Sequence, residues 1–195
     1  MISIRHERPA DIDAREVLLD EAFGGTRYRK SSERLREDRL PAAGLAFIAA
    51  DGRRVVGTAR LWNVTCGTSA LGAKALLLGP VAVAEDCRGR GIGADLVRRS
   101  VREAKRLGYG AVILVGDAAY YNRFGFSGEK TGALWMPGPF ERHRLLALEL
   151  QPGALDGARG MIAATGRAEP KPDLAALVAQ DRRAMRPRRH GARAA

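Results

Sequence analysis

Cysteine and histidine are scarce in this chain, two and three residues respectively out of 195. Cys66 and Cys87 lack the dense spacing of a disulfide framework, and two thiols with three histidines offer no metal-ligand cluster, so no metal site is predicted. Both thiols are expected to be reduced and structural. Also missing is any run of about 18 uninterrupted apolar residues, the length a membrane-crossing helix needs. The opening residues Met1-Ile2-Ser3-Ile4-Arg5-His6-Glu7-Arg8 lack the apolar core of a signal peptide. These absences predict a soluble, cytoplasmic protein with no membrane partner. Acids are absent from residues 182–195, which hold six arginines, so this tail carries +6 of the formal +11 and everything before it carries +5. Basic, Pro-interrupted and Ala-rich, the tail cannot bury enough apolar surface to fold alone. A solvated end is the plain expectation; an arm that binds nucleic acid through counterion release is the alternative.

What is present suits one domain. The apolar fraction, 46%, is enough for a buried core, and no internal repeat occurs. The domain is placed at 1–166, with 167–195 as a flexible Pro-, Arg- and Ala-rich extension. Residues 2–5 alternate like an edge strand. Pro9-Ala10-Asp11 opens a helix whose apolar positions Ile12, Val17, Leu18 and Ala22 recur at helical spacing and which Gly24-Gly25 ends. Ser31 or Ser32 followed by Glu33 and Glu37 predicts a second, polar helix. Two strands, 45–50 and 54–62, flank Asp51-Gly52, whose tolerance of positive φ favours a tight hairpin. Residues 75–83 form an apolar strand interrupted by Gly79-Pro80, where a bulge or splay frees backbone groups. From Ile92 to Leu107 the apolar positions make one stripe and Arg98, Arg99, Arg102, Lys105 and Arg106 the other face, with Gly108 as terminator. A buried strand at 111–115, a helix capped by Asp117 and ended by Gly125, and strands at 133–135 and 144–150 follow. Residues 151–160 read as a turn-rich closing segment, and Arg167 onward as a linker.

The centre of the chain is Arg88-Gly89-Arg90-Gly91-Ile92-Gly93. A glycine turn at a helix N-terminus exposes backbone N–H groups where the helix dipole adds positive charge, and so holds a phosphate. Two templates fit. Counted from Gly89, Gly89-x-Gly91-x-x-Ala94 satisfies a dinucleotide fingerprint, with Asp117 as a candidate ribose-binding acid. That fold needs the turn tight against its strand, however, and residues 84–88 intervene. A third possibility is structural, glycines merely permitting a tight connection.

Counted from Arg88, Arg88-x-x-Gly91-x-Gly93 resembles the coenzyme A-binding motif of the GNAT acetyltransferase superfamily. The splayed strand Leu77-Leu78-Gly79-Pro80-Val81-Ala82-Val83 before it and Tyr121-Asn122-Arg123-Phe124-Gly125-Phe126 after it resemble that family's elements in the family's order. The motifs cover about fifty residues, and the flanking order fits from about residue 2 to 150. Pro137-Gly138-Pro139-Phe140 and the segment 148–155 resemble a small bacterial subgroup. The resemblance implies an α/β fold: a mixed, mostly antiparallel sheet splayed at its centre, with helices on both faces. It implies acetyl-CoA as acyl donor and direct transfer from the thioester to an amine. The pyrophosphate would lie on the backbone N–H groups of Gly89, Arg90, Gly91, Ile92, Gly93 and Ala94, with Arg88 and Arg90 adding charge near the phosphates. The pantetheine arm would pair with Val81, Ala82 and Val83 as an added strand. Tyr121 matches the position whose hydroxyl reaches the coenzyme sulfur and can protonate the leaving thiolate; the plainer view of Tyr121 is a core aromatic. Many members carry an asparagine several residues before that tyrosine, where this chain has Leu114.

The base that deprotonates the acceptor is not identified by pattern. Glu33, Glu37, Asp38, Glu85 and Asp86 are candidates, each equally readable as a solvated charge. The acceptor surface is expected from residues 23–32 and 131–143, including Trp135, Met136 and Phe140. Monomer and homodimer both fit. Three readings stand beside the enzyme: a coenzyme A sensor without turnover, a nucleic-acid binder using the tail and, more distantly, a nicotinamide dehydrogenase.

Overall fold

The computed structural model describes residues 1–67 and 72–170. The arginine tail, 182–195, lies outside the described residues. Eight strands form a sheet: β1 (Ile2–His6), β2 (Ala46–Asp51), β3 (Arg54–Cys66), β4 (Ala73–Val83), β5 (Ala111–Val115), β6 (Leu134–Trp135), β7 (Leu145–Glu149) and β8 (Gly160–Ala164). The order is β1-β2-β3-β4-β5-β7, antiparallel except for β4 against β5. Strand β8 pairs with the far end of β3 at Val64, Thr65 and Cys66 and, in parallel, with β6. This mixed, mostly antiparallel α/β architecture is the one expected. Among the described residues no helix is long and apolar enough to cross a membrane.

Helix α1 (Ile12–Phe23) follows a short 3-10 turn at Pro9–Asp11, α2 is Ile92–Arg106, and α3 is a single turn, Ala118–Tyr121. Alternation along the strands divides the core. Leu76, Leu78, Val112 and Leu114 join Leu18 and Leu19 of α1 and Leu96 and Val97 of α2 in one cluster. Leu77, Ile113, Trp62 and Val64 join Leu35, Leu134, Met136, Leu155 and Ile162 in the other. Period-two side-chain direction is what sends neighbours in one strand to opposite clusters. Cys66 and Cys87 are free and buried.

Several elements differ from the sequence expectation. Helix α1 is rotated: Ile12 and Val17 are 42% and 57% exposed, whereas Arg15 is buried. Arg15 donates to Glu7 at 2.6 Å and to Glu16 at 2.6 Å, and this ion pairing turns a charged residue inward. The polar helix after Ser31 is instead a 3-10 turn, Glu33–Leu35, because Leu35 is drawn into the second cluster and Asp38 takes a left-handed φ of 54° that no helix continues through. In the hairpin Asp51 pairs with Arg54, so the central residues are Gly52 and Arg53, and Gly52 alone has positive φ. Strand β8 has no counterpart among the expected strands. Residues 167–169 run beside 38–40, with Leu40 N–H on Arg167 O at 2.9 Å and Glu169 N–H on Asp38 O at 2.8 Å.

Candidate active site

The site begins with the interruption in β4. Ala59 pairs with Val81 but Leu61 with Leu78, so Gly79 and Pro80 together oppose Arg60, a bulge. Gly79 holds a φ of 133°, reserved for glycine, and the Gly79-Pro80 peptide is cis. Trp62 Nε1 donates to Gly79 O at 2.6 Å and ties the bulge to β3. Past the bulge, Ala82 pairs with Thr58, and Ala84 N–H donates to Val56 O at 2.9 Å. Backbone direction alternates along a strand, so the N–H and C=O groups of Val81 and Val83 point to the other edge. Strand β5 meets β4 only at Leu76 and Leu77, so among the described residues no strand pairs with that edge beyond Leu78.

A 3-10 turn at Glu85–Cys87 leads from β4 to the glycine turn. Gly89 and Gly91 have φ of 77° and 80°, and Gly91 caps α2 in the left-handed conformation without a side-chain cap bond. The backbone N–H groups of Gly89, Arg90, Gly91, Ile92, Gly93 and Ala94 have no protein acceptor among the described residues; the first bond of the helix is Asp95 N–H to Gly91 O at 3.0 Å. Such a row of unmatched donors at a helix N-terminus is an anion cradle. The side chains of Ile92 and Ala94 are buried in or beside the core, so these two residues offer only their backbone. Arg88 stands 3.9 Å from Glu85 at the surface, while Arg90 folds back toward Cys87 Sγ at 3.7 Å.

Tyr121 reaches the bulge from α3. Asp117 caps that turn by accepting Ala119 N–H at 3.0 Å, as expected, and so serves the helix end. Gly116 clears the way for the ring: a Cβ there would lie 2.3 Å from Tyr121 Cε2. The ring packs edge-on to Tyr120 and Phe126, with centroids at 5.0 and 5.9 Å. Tyr121 is thus a packed ring that also lines a cavity. Burial, with Tyr120 beside it, pushes its hydroxyl up to about 12 against an opposing pull from Arg144. The phenol keeps its proton throughout the neutral range. Leu114 is buried in the first core cluster and presents no amide.

The cavity at the bulge has a volume of about 230 Å³. Gly79, Pro80, Val81 and Tyr121 line it together with Phe23, Arg27, Lys30, Glu33, Arg36 and Arg144. Of the five candidate bases, Glu33 alone lines this cavity; Glu85 and Asp86 lie at the far end of β4, where Asp86 pairs with Arg54 at 2.6 Å. Glu37 and Asp38 line a second cavity of about 480 Å³ that shares Arg27, Glu33, Arg36 and Pro80 with the first. Of residues 23–32, Phe23, Arg27, Lys30 and Ser32 line the first cavity, whereas none of residues 131–143 lines either cavity. Trp135 and Phe140 pack on each other at 6.3 Å and Met136 is buried in the second cluster. Arg36, Arg144 and Gly116 were not singled out by motif. Each matters through a partner distant in sequence, and no local pattern marks that.

The GNAT acetyltransferase family pattern matches residues 13–126. The Escherichia coli K12 protein described as uncharacterized N-acetyltransferase YhbS is 30% identical over 159 residues, 82% of this chain and 93% of that one. A second E. coli K12 protein, described as uncharacterized N-acetyltransferase YjhQ, is 29% identical over 152 residues, 74% of this chain and 83% of its own. The crystal structure of E. coli YhbS in complex with CoA superposes with a TM-score of 0.70 at 29% identity, covering 84% of this chain and 89% of that one. A GNAT acetyltransferase of Brucella melitensis in complex with acetyl-CoA superposes at 0.63 with 25% identity, over 84% and 95%. A splayed antiparallel sheet, a glycine turn opening α2 and a tyrosine at the splay accompany a family match over more than half of the sequence: the chain belongs to the GNAT family of acetyltransferases.

Proposed function

We propose that the protein binds acetyl-CoA and transfers its acetyl group directly to the primary amine of a small acceptor. The coenzyme complexes of the two structural relatives support the donor. In this reading the N–H groups of residues 89–94 take the pyrophosphate, with Arg88 and Arg90 adding charge near it. The pantetheine amides extend the sheet along Val81, Ala82 and Val83, using the open backbone groups of Val81 and Val83. That strand-like course delivers the thioester to the bulge at Gly79-Pro80. There the amine nitrogen attacks the carbonyl carbon, the tetrahedral intermediate expels the thiolate, and Tyr121 gives that thiolate its proton. Glu33, the candidate base that lines the same cavity, takes the ammonium proton directly or through water.

The observation that carries this reading is Tyr121, lining the cavity at the β4 bulge and kept protonated by burial. Tyr121→Phe is expected to lower kcat by about 10²-fold or more, the range of a general acid. Its acetyl-CoA dissociation constant should stay near wild type. Thiol release under saturating acetyl-CoA, paired with calorimetric titration of the coenzyme, makes the measurement; unchanged kcat removes the acid role.

A further inference from the structure

The cavity facing Tyr121 is more positive than an amine acceptor alone requires. Arg27, Lys30, Arg36 and Arg144 line it, against Glu33 and Asp117. Arg27 is matched by Glu16 and Asp20 at 2.6 and 2.8 Å. Among the described residues Arg144 has only an exposed Glu141 at 3.6 Å and Lys30 makes no ion pair, its ammonium standing 4.4 Å over the Phe23 ring. Arg36 is the telling member. Its side chain is only 7% exposed, and Nη2 alone is engaged, with Glu33 Oε2 at 2.6 Å. Its Nε is buried with no partner, and Nη1, which has no protein acceptor among the described residues, lies beside Gly79 at the bulge, 3.8 Å from where a Cβ would sit there. Unused donors on a buried guanidinium are costly unless something completes them.

Gathered cations repel. Burial, then Arg36 and Arg144, lower the affinity of Lys30 for its proton. A simple alkylammonium entering this space meets the same field. An amine that also carries an anionic group enters with no net charge. Resting on the acetyl-transfer reading, we infer that the acceptor is a small amino acid, whose carboxylate binds Arg36 Nη1 with Lys30 and Arg144 while its amine lies by Glu33 and faces the bulge. Arg36 and Glu33, paired to each other, form a dipole complementary to such a zwitterion. The planar guanidinium suits a planar carboxylate, and about 230 Å³ suits a metabolite-sized molecule. The cationic wall also favours the neutral, nucleophilic form of the amine once it is bound.

The test is thiol release with acetyl-CoA over a panel of α- and ω-amino acids, each matched to its decarboxylated amine, with 2-aminoethyl phosphate set against β-alanine. The acids are expected to show a kcat/KM at least about tenfold above their decarboxylated partners, the lower end for a charge-assisted contact. In Arg36→Lys and in the surface variant Lys30→Met this ratio should fall by about tenfold. Each variant is checked for retained thermal stabilisation by acetyl-CoA. Equal or faster reaction of the decarboxylated amines, faster reaction of 2-aminoethyl phosphate, or a ratio unmoved in both variants overturns the inference and leaves acetyl transfer standing. Absence of thiol release with every amine of the panel overturns acetyl transfer instead. The carboxylate site is then read with N-acetyl-β-alanine and N-propylacetamide added to the CoA-bound protein. A higher Tm with the acid only, lost in Lys30→Met, upholds the site, and no difference overturns it.

Discussion

The wall that carries the glycine turn stands beyond the far end of β4 and the wall that carries Lys30 and Arg36 stands at the bulge, and the two are held by different forces. The turn is local: Gly89 and Gly91 take left-handed φ, the helix starts at once, and the donors of residues 89–94 are presented by backbone geometry within a few residues. The other wall is assembled over long distances by charge. Glu7 on the chain after β1 accepts from Arg15 of α1 at 2.6 Å and from Arg60 of β3 at 2.7 and 3.0 Å, and the chain continues through Glu16 to Arg27. The contrast teaches that one wall can be altered residue by residue, whereas the other depends on buried charges that fail together.

Three measurements can break or sharpen this contrast. The largest effect is expected from Glu7→Gln. The side chains of Glu7, Arg15 and Arg60 are 7%, 6% and 15% exposed, so removing the anion leaves Arg60 without an ion-pair partner among the described residues and Arg15 with Glu16 alone. A loss of about 3–5 kcal/mol in denaturant unfolding is the expected cost of breaking such a buried pair. A loss under about 1 kcal/mol would show that the acceptor wall does not rest on charge.

Next in size is an alkaline dependence centred on Tyr121 in the cavity at the bulge. Tyr121 has a folded-state value raised from 10.0 to about 12, so its protonated form is favoured by folding. The associated stability is fully present below pH 10 and is lost as the pH climbs toward 12, amounting to roughly 2–3 kcal/mol for a two-unit shift in a buried group. Wild type should therefore lose more stability across that window than Tyr121→Phe does. Parallel curves for the two proteins would place the hydroxyl in open water.

The smallest effect is assigned to the local wall. Gly91 has φ of 80° and nothing within 4 Å of an added Cβ, so Gly91→Ala introduces backbone strain without a clash. About 1 kcal/mol is expected, seen as a several-fold rise in the KM for acetyl-CoA with the acceptor KM unchanged. A matching rise in the acceptor KM would mean that the walls are not separable.

The same contrast explains what could be read in advance. The glycine turn, the amphipathic stripe of α2, the interruption at Gly79-Pro80 and the cap at Asp117 are written in contiguous residues, where propensity and periodicity act. Helix α1 misled because Arg15 occupies a position that its neighbours make look exposed, and only Glu7 explains its burial. The 3-10 turn at Glu33–Leu35 reads as a helix because Ser31 or Ser32 followed by Glu33 and Glu37 has a cap-like pattern, while Trp62 and Ile162, which share a cluster with Leu35, lie far along the chain. Arg36 carried no motif at all. Its meaning comes from Gly79, forty-three positions later, and from a missing partner at Nε.

Gly116 has a consequence for how this enzyme can diversify. Its N–H is bonded to Arg144 O at 2.9 Å while its bare Cα makes room for the Tyr121 ring, so Tyr121 and one member of the cationic cluster share a single anchoring peptide. Variation that re-sites Arg144 also moves Tyr121. Under the proposed roles, turnover and acceptor preference are then inherited as one trait, and new acceptors are reached more readily through Lys30, which lies outside that linkage.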